Sequence, residues 1–172
     1  MKSARLNWRV TLVALLFTPL VLFPERLTHA QTEPLLTRFQ GSWQGEGKAF
    51  AMTARLHLKW EWVLGAKFLR LTLKNTMRTA NGQTRVFEGH AYYHPIGESK
   101  FEANWFDSRG VVFPIKAQAA ADELIAHWGS PEQEQGRSTY RIIESGKMEV
   151  VDSVQQKDGT WKEFGRFVVT RE

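Results

Sequence analysis

Residues 53–75 read "TARLHLKWEWVLGAKFLRLTLKN", and apolar side chains alternate with polar ones on both sides of Gly65-Ala66. A period of two is typical of β-strands that bury one face and expose the other. A two-residue turn at Gly65-Ala66 would bring the apolar sides of both strands onto one face. The predicted cross-strand pairs are Leu58 with Leu73, Trp60 with Leu71, Trp62 with Leu69 and Leu64 with Lys67. Because two separate alternations agree on this register, the sequence predicts a β-hairpin.

Short alternating runs separated by turn residues continue to the end of the chain. The turn signals lie at residues 81–82, 95–98, 107–110, 145–147 and 157–159. We count nine or ten strands between residues 39 and 171, and at most a turn or two of helix at 35–39 and 117–124. A meander of this kind buries its apolar face on itself when it closes. The sequence therefore predicts an all-β, antiparallel up-and-down barrel of about eight to ten strands, with an open two-sheet sandwich as the alternative.

The first thirty residues have the composition of a signal peptide. Three basic residues precede an apolar run at 10–23, which is short for a membrane span of about 20 residues. Ala30 supplies the small residue that signal cleavage needs. We predict cleavage after Ala30 and a periplasmic or secreted domain, residues 31–172, without stable membrane insertion. An uncleaved anchor is the alternative.

Cysteine content and charge exclude several classes of function. The chain has no cysteine, which excludes lipid attachment at a cysteine, thiolate metal sites and cysteine nucleophiles. Residues 1–30 hold four of the 23 basic and one of the 18 acidic residues, so the remainder has 19 against 17. A net charge of +2 without a basic run argues against nucleic acid as a partner.

The loop at Asn81-Gly82 decides which face of residues 84–94 points inward. A two-residue loop would turn five largely polar residues inward: Val86, Glu88, His90, Tyr92 and His94. A three-residue loop with a left-handed Gly82 would instead turn in Phe87, Gly89, Ala91 and Tyr93. We favour the second, because it gives the more apolar interior.

Metal and nucleophile signatures are weak throughout. His90 and His94 would lie about 13 Å apart on a strand, too far to bind one ion, so no metal site is predicted. No nucleophile elbow, phosphate loop or zinc signature is present. Asp107 and Ser108 are predicted to stabilise a turn. Asp152 interrupts an apolar strand, as Arg141 does. The pattern favours a solvent-facing side chain, with a polar anchor in a cavity as the alternative.

Two segments carry a resemblance to known barrels. "GSWQGEG", residues 41–47, contains a Gly-x-Trp that resembles the signature of the calycin superfamily, which includes lipocalins and fatty-acid-binding proteins. The whole segment is more similar to the opening of nitrobindin-type barrels. "WFDSRG", residues 105–110, resembles a mostly uncharacterised branch of bacterial lipocalin-like proteins. The resemblance implies that Trp43 plugs one end of the barrel, with Arg166 or Arg171 packed over its ring.

The resemblance implies a barrel that binds a small, largely apolar ligand, with no catalysis and no cofactor assumed. The residues predicted to line the pocket are Trp60, Trp62, Leu69, Leu71, Phe101, Trp105, Phe113 and Trp128. The oligomeric state stays open.

Two alternatives belong to other classes. A nitrobindin-type haem barrel needs an axial histidine, a place that only His127 or His94 could take. The other alternative is an envelope protein-interaction module, or an acid–base enzyme with Glu88 and His90 in the barrel mouth.

Overall fold

The computed structural model describes residues 35–172, so the predicted signal peptide, residues 1–30, and its cleavage after Ala30 lie outside the described part of the chain. One short helix precedes ten strands. Their bounds are α1 Leu35–Phe39, β1 Gly41–Ala49, β2 Met52–Val63, β3 Phe68–Arg78, β4 Thr84–Pro95, β5 Lys100–Asp107, β6 Val112–Ala119, β7 Glu123–Gly129, β8 Gln135–Glu144, β9 Lys147–Gln155 and β10 Trp161–Arg171. Within residues 35–172, no helix has the length and apolar character needed to cross a membrane.

The ten strands form one closed antiparallel barrel in which sequence neighbours are paired. The barrel closes because β1 pairs with both β2 and β10. Trp43 of β1 lies opposite Leu58 on one side and Arg171 on the other. The predicted all-β up-and-down barrel is confirmed, and the open sandwich is wrong. Closure pairs the two strands that would otherwise form exposed edges.

The β2–β3 hairpin has the predicted register, with Trp60 opposite Leu71. Residues 64–66 turn the chain with positive φ angles of 52°, 66° and 58°. The turn is closed by a hydrogen bond in which the Lys67 amide donates to the Leu64 carbonyl at 3.4 Å. Loops with positive φ at their central residues twist as the flanking strands do, which holds the strands in register.

The loop between β3 and β4 has the three-residue form that the sequence analysis favoured. The Thr79 amide donates to the Gln83 carbonyl at 2.9 Å, so residues 80–82 form the loop. Gly82 has a φ of 83°, which a glycine adopts without strain. As a result Leu73 lies opposite Gly89, and the small and aromatic residues of β4 face inward. The inward set is Phe87, Gly89, Ala91 and Tyr93.

Helix α1 covers one end of the barrel, over Trp43. The indole Nε1 of Trp43 donates to the Phe39 carbonyl at 2.7 Å. The guanidinium carbon of Arg171 lies 4.5 Å from the centroid of the Trp43 ring, a cation–π arrangement. The same guanidinium donates to the carbonyls of Arg38 and Gln40, so it ties α1 to the last strand.

Arg166, the other candidate for the plug, does not reach Trp43. Phe167, Val169 and Arg171 share the inward side of β10, and side chains alternate along a strand, so residue 166 faces outward. Arg166 there forms ion pairs with Glu149 at 2.5 Å and Glu163 at 2.6 Å.

Glycines of "GSWQGEG" allow β1 to approach β10 closely. A Cβ on Gly45 would come closer than 3.0 Å to the backbone of Val168, and one on Gly47 would do the same to the backbone of Arg166. Side chains at these two positions would therefore push the first and last strands apart where the barrel closes.

Candidate functional site

The barrel interior is open at the end opposite α1, where it forms a cavity of about 190 Å³. Eight aromatic side chains line it: Phe50, Phe87, Tyr93, Trp105, Phe113, Trp128, Tyr140 and Phe164. The polar side chains that reach it are Asn75, Arg109, Glu134, Ser138 and Asp152. Apolar walls with a few polar groups are typical of small-molecule sites.

Two tryptophans of the wall lie flat over glycines of the neighbouring strand. Trp105 of β5 covers Gly89 of β4, and Trp128 of β7 covers Gly136 of β8. In both pairs a Cβ on the glycine would come closer than 3.0 Å to the indole. Any side chain at these two positions would therefore move an indole into the cavity.

Each of these indoles is stacked on a phenylalanine. The Phe87 and Trp105 rings have centroids 6.3 Å apart and planes 24° apart. The Phe113 and Trp128 rings have centroids 5.5 Å apart and planes 27° apart. The Arg109 guanidinium lies 5.5 Å from the Phe87 ring and 6.0 Å from the Phe113 ring, so it bridges the two stacks at the cavity mouth.

The segment "WFDSRG" builds this mouth through Asp107. The side chain of Asp107 is fully shielded from solvent and accepts hydrogen bonds from Trp105 Nε1 at 3.0 Å and from the Arg109 guanidinium at 2.8 Å. It also accepts from the Arg109 amide at 2.9 Å, which makes the predicted turn. Burial favours the neutral acid, but these hydrogen bonds outweigh it and lower the pKa of Asp107. Glu134 adds a second, longer ion pair to Arg109 at 3.6 Å.

Asp152 lies on the cavity wall, and the favoured prediction of a solvent-facing side chain is wrong. Asp152 shares the inward side of β9 with Met148 and Val150, both of which are fully buried. Strand alternation therefore carries its carboxyl into the barrel. Arg141, the similar case in the sequence, does face outward and pairs with Glu123 at 2.8 Å.

The carboxyl of Asp152 is held by a short hydrogen-bonded chain. Ser138 Oγ donates to Asp152 Oδ1 at 2.5 Å, and Trp128 Nε1 donates to Ser138 Oγ at 3.2 Å. Burial raises the pKa of Asp152 to about 6, although the Ser138 hydrogen bond opposes the shift. Burial also raises the pKa of the Tyr93 and Tyr140 hydroxyls, and the nearby Asp152 charge adds to both shifts.

Asn75 contributes a further polar atom to the cavity lining. Its Oδ1 is buried and has no hydrogen-bond partner in the described part of the protein. Asn75 continues the inward-facing series of β3 that begins with Leu69, Leu71 and Leu73. A buried acceptor without a donor costs free energy on the order of 1–3 kcal/mol, which a donor group on a ligand would recover.

The structure brings together three of the eight residues predicted to line a pocket. Trp105, Phe113 and Trp128 lie on the cavity wall. The other five do not line it: Trp60, Trp62, Leu69, Leu71 and Phe101. Trp60 is fully buried under α1, with its ring centroid 5.4 Å from that of Phe39. These five residues follow the same inward-facing alternation as the residues that line the cavity. Several of them, however, fill the end of the barrel that α1 closes.

The residues that line the cavity but were not predicted from the sequence are of two kinds, some outside a regular strand alternation and some within it. Phe50 lies in the β1–β2 turn and Phe164 at a bulge of β10, where β10 loses register with β9. Tyr140 and Asn75 do follow the alternation of their strands, so extending the inward face along each strand would have found them.

Glu88 and His90, the weak catalytic candidates, lie on the outer surface. Glu88 pairs with Lys74 at 3.1 Å, and the His90 Nδ1 lies 3.2 Å from Thr72 Oγ1. The three-residue loop before β4 places both on the outside, so they do not border the cavity.

The histidines named for haem do not fit an axial role in the cavity. His94 Nδ1 lies 3.3 Å from the Lys67 carbonyl, and the His127 ring packs edge-on against Trp161 at 5.9 Å. Neither histidine lines the cavity. Among residues 35–172, no group of three histidine, cysteine or carboxylate side chains is placed to hold a metal ion.

Comparison with known proteins supports the fold. No family model matches the sequence, and no curated protein is significantly similar to it. The Rv2717c protein of M. tuberculosis is 15% identical with a TM-score of 0.60, over 83% of this chain and 98% of that chain. The S-type phycobiliprotein lyase CPES of Guillardia theta is 9% identical with a TM-score of 0.56, over 80% and 90%. At these identities the likeness shows the fold alone, an antiparallel β-barrel.

Proposed function

We propose that this protein is an exported barrel that binds a small, compact and largely apolar ligand in the cavity opposite α1. The observation that carries the proposal is the pair of aromatic stacks, Phe87 on Trp105 and Phe113 on Trp128, around an unfilled interior. A side-chain core without a ligand role would fill this space, because protein interiors pack to the density of organic crystals.

The size of the cavity limits the ligand. An apolar protein cavity of about 150 Å³ holds benzene, so about 190 Å³ accommodates one aromatic ring with a short substituent. A long acyl chain or a macrocycle would have to extend through the mouth, past Arg109. The enclosed part of the site therefore suits a single ring.

We infer that the protein acts outside the cytoplasm and belongs to the bacterial lipocalin-like branch named above. The export inference rests on the sequence of residues 1–30. The inference about the branch rests on the segments "GSWQGEG" and "WFDSRG". Trp43 of the first segment closes one end of the barrel, and Trp105, Asp107 and Arg109 of the second form the cavity mouth at the other end.

The test is native mass spectrometry of protein expressed from the full-length sequence in a bacterial host and purified without refolding. A chain that begins at residue 31 and is recovered from the periplasm would support export, and an unprocessed chain would contradict it. A mass excess that disappears on denaturation would identify a bound molecule.

A titration with toluene tests the cavity directly, with calorimetry as the readout. Ala126 is buried on the cavity wall, and an Ala126→Leu variant should lose most of the toluene binding because the larger side chain occupies the site. Ala121→Leu, in an exposed loop, is the matched control and should bind as the unchanged protein does. If no bound molecule co-purifies and toluene does not bind, the proposed function is wrong.

A further inference from the structure

Two of the polar groups that line the cavity, Asp152 and Asn75, are acceptors with unused hydrogen-bonding capacity. Asp152 accepts one protein hydrogen bond, from Ser138, although a carboxylate can accept about four. Among residues 35–172 no cationic side chain pairs with Asp152 within 4.0 Å. Asn75 Oδ1, on the same cavity, accepts no hydrogen bond from the described part of the protein. A ligand that donates hydrogen bonds would satisfy both groups.

The charged groups around the cavity also favour a cation. Among residues 35–172, Arg109 is the one positive group on the lining, and Asp107 and Glu134 already neutralise it. When Asp152 is ionised, the cavity and its mouth hold three carboxylates and one guanidinium, so their net charge is negative. An anionic ligand would meet a net negative site, whereas a cationic ligand would reduce the repulsion among these carboxylates.

The aromatic walls add a second attraction for positive charge. The face of an indole or phenyl ring attracts a cation through its quadrupole. Arg109 already uses the Phe87 and Phe113 rings in this way at the mouth. The rings deeper in the cavity, Tyr93, Tyr140 and Trp128, are available to a cation that comes from the ligand.

We propose that the cavity binds a small aromatic amine, with its ring between the two aromatic stacks and its protonated amino group on the Asp152 carboxylate. This inference rests on the proposed function, because it names the ligand class of the same site. An ammonium group has three donors, and Asp152 has acceptor sites that the Ser138 hydrogen bond leaves free. A ring with a one-carbon amine substituent is also of the size that the cavity holds.

Four probes of nearly equal size separate the effect of ligand charge on affinity from the effect of ligand shape. They are benzylamine, benzyl alcohol, toluene and benzoate. Each probe is titrated at pH 7.5 into protein purified after expression of the full-length sequence. Calorimetry measures the affinity. The NMR signals of the Trp105 and Trp128 indole N–H groups show whether the probe binds in the cavity. Benzylamine should bind about ten- to a hundredfold more tightly than toluene, because a hydrogen bond to a buried charge exceeds a neutral one. Benzoate should bind most weakly.

Asp152→Asn keeps the shape and removes the charge. This variant should bind benzylamine no more tightly than benzyl alcohol. Asp158→Asn, in the exposed β9–β10 turn, is the control and should keep the full preference for benzylamine.

The outcomes are distinct. If toluene or benzyl alcohol binds as tightly as benzylamine to the unchanged protein, the amine inference is wrong and the proposed function stands. If benzylamine is preferred equally by the Asp152→Asn variant, the amine binds elsewhere and the inference is wrong. If none of the four probes binds, the amine inference is wrong, and if no molecule co-purifies either, the proposed function is wrong as well. The probe series on the unchanged protein decides the question even if a variant does not fold.

Discussion

Trp105 lies flat over Gly89, and its indole occupies the space that any side chain at position 89 would need. The two residues belong to adjacent strands, β5 and β4, and Trp105 directly faces Ala91 in that pairing. The glycine thus lets a large ring lie along the barrel wall instead of across the interior. Trp128 and Gly136 repeat the relationship on β7 and β8. The cavity exists because both rings are held against the wall.

Gly89→Ala should therefore reduce both stability and ligand binding. We expect a loss of about 1–3 kcal/mol in the free energy of unfolding, as for other overpacked sites, and a clear loss of toluene affinity because Trp105 moves inward. Urea denaturation and calorimetry measure the two effects. Gly97→Ala, at a turn with open space around it, should change stability by no more than about 0.5 kcal/mol. Equal effects of the two substitutions would contradict this account.

Asp152 should make stability fall as pH rises. Its pKa of about 6 in the folded protein lies above the usual aspartate value of 3.8, so folding favours the protonated acid. The contribution is fully present below about pH 4 and is lost as pH rises past about 6. It amounts to about 3 kcal/mol at most, from about 1.4 kcal/mol per pKa unit.

The measurement is the difference in unfolding free energy between Asp152→Asn and the unchanged protein from pH 4 to pH 8. As pH rises across this window, the unfolding free energy of the variant should increase relative to that of the unchanged protein. Asp158→Asn should show almost no trend from pH 4 to pH 8, because hydrogen bonds from Thr160 lower the pKa of Asp158 and place its titration below this window. A pH-independent difference for Asp152→Asn would show that the carboxyl is not buried in the folded protein.

Arg171→Ala should destabilise the closed end of the barrel. The substitution removes the cation–π contact with Trp43 and the hydrogen bonds to α1, for an expected loss of about 1–3 kcal/mol in urea denaturation. Arg166→Ala removes exposed ion pairs and should cost less than about 1 kcal/mol. If Arg166 proves the more costly of the two, the assignment of the plug to Arg171 is wrong.

Phe50→Ala should accelerate ligand exchange with little effect on stability. Phe50 is 61% exposed and stacks on Phe164 at the cavity, with ring centroids 4.7 Å apart. Its removal widens the mouth, so toluene should leave severalfold faster, as measured by line broadening of the Trp105 and Trp128 indole signals. Phe106→Ala, on the outer face, should leave the exchange rate unchanged. A shared effect on both variants would speak against a role for Phe50 at the mouth.

Local patterns in the sequence predicted most of the fold. The alternation in residues 53–75 and the Gly65-Ala66 turn predict the β2–β3 register, because side chains alternate strictly along a strand. At Asn81-Gly82 two loops fit the local sequence equally well. The apolar character of Phe87, Ala91 and Tyr93 favours the three-residue loop, because a face that is buried in the barrel needs apolar residues.

The position of the cavity was decided only by the tertiary structure. Trp60 and Trp105 both point inward, and nothing in their own strands tells which of them borders empty space. Trp60 is buried because α1 covers its end of the barrel, whereas Trp105 lies at the uncovered end. The sequence determined which side chains enter the barrel. The stagger of ten closed strands and the place of one short helix decided which of them meet, because residues far apart in the chain share a level only after closure.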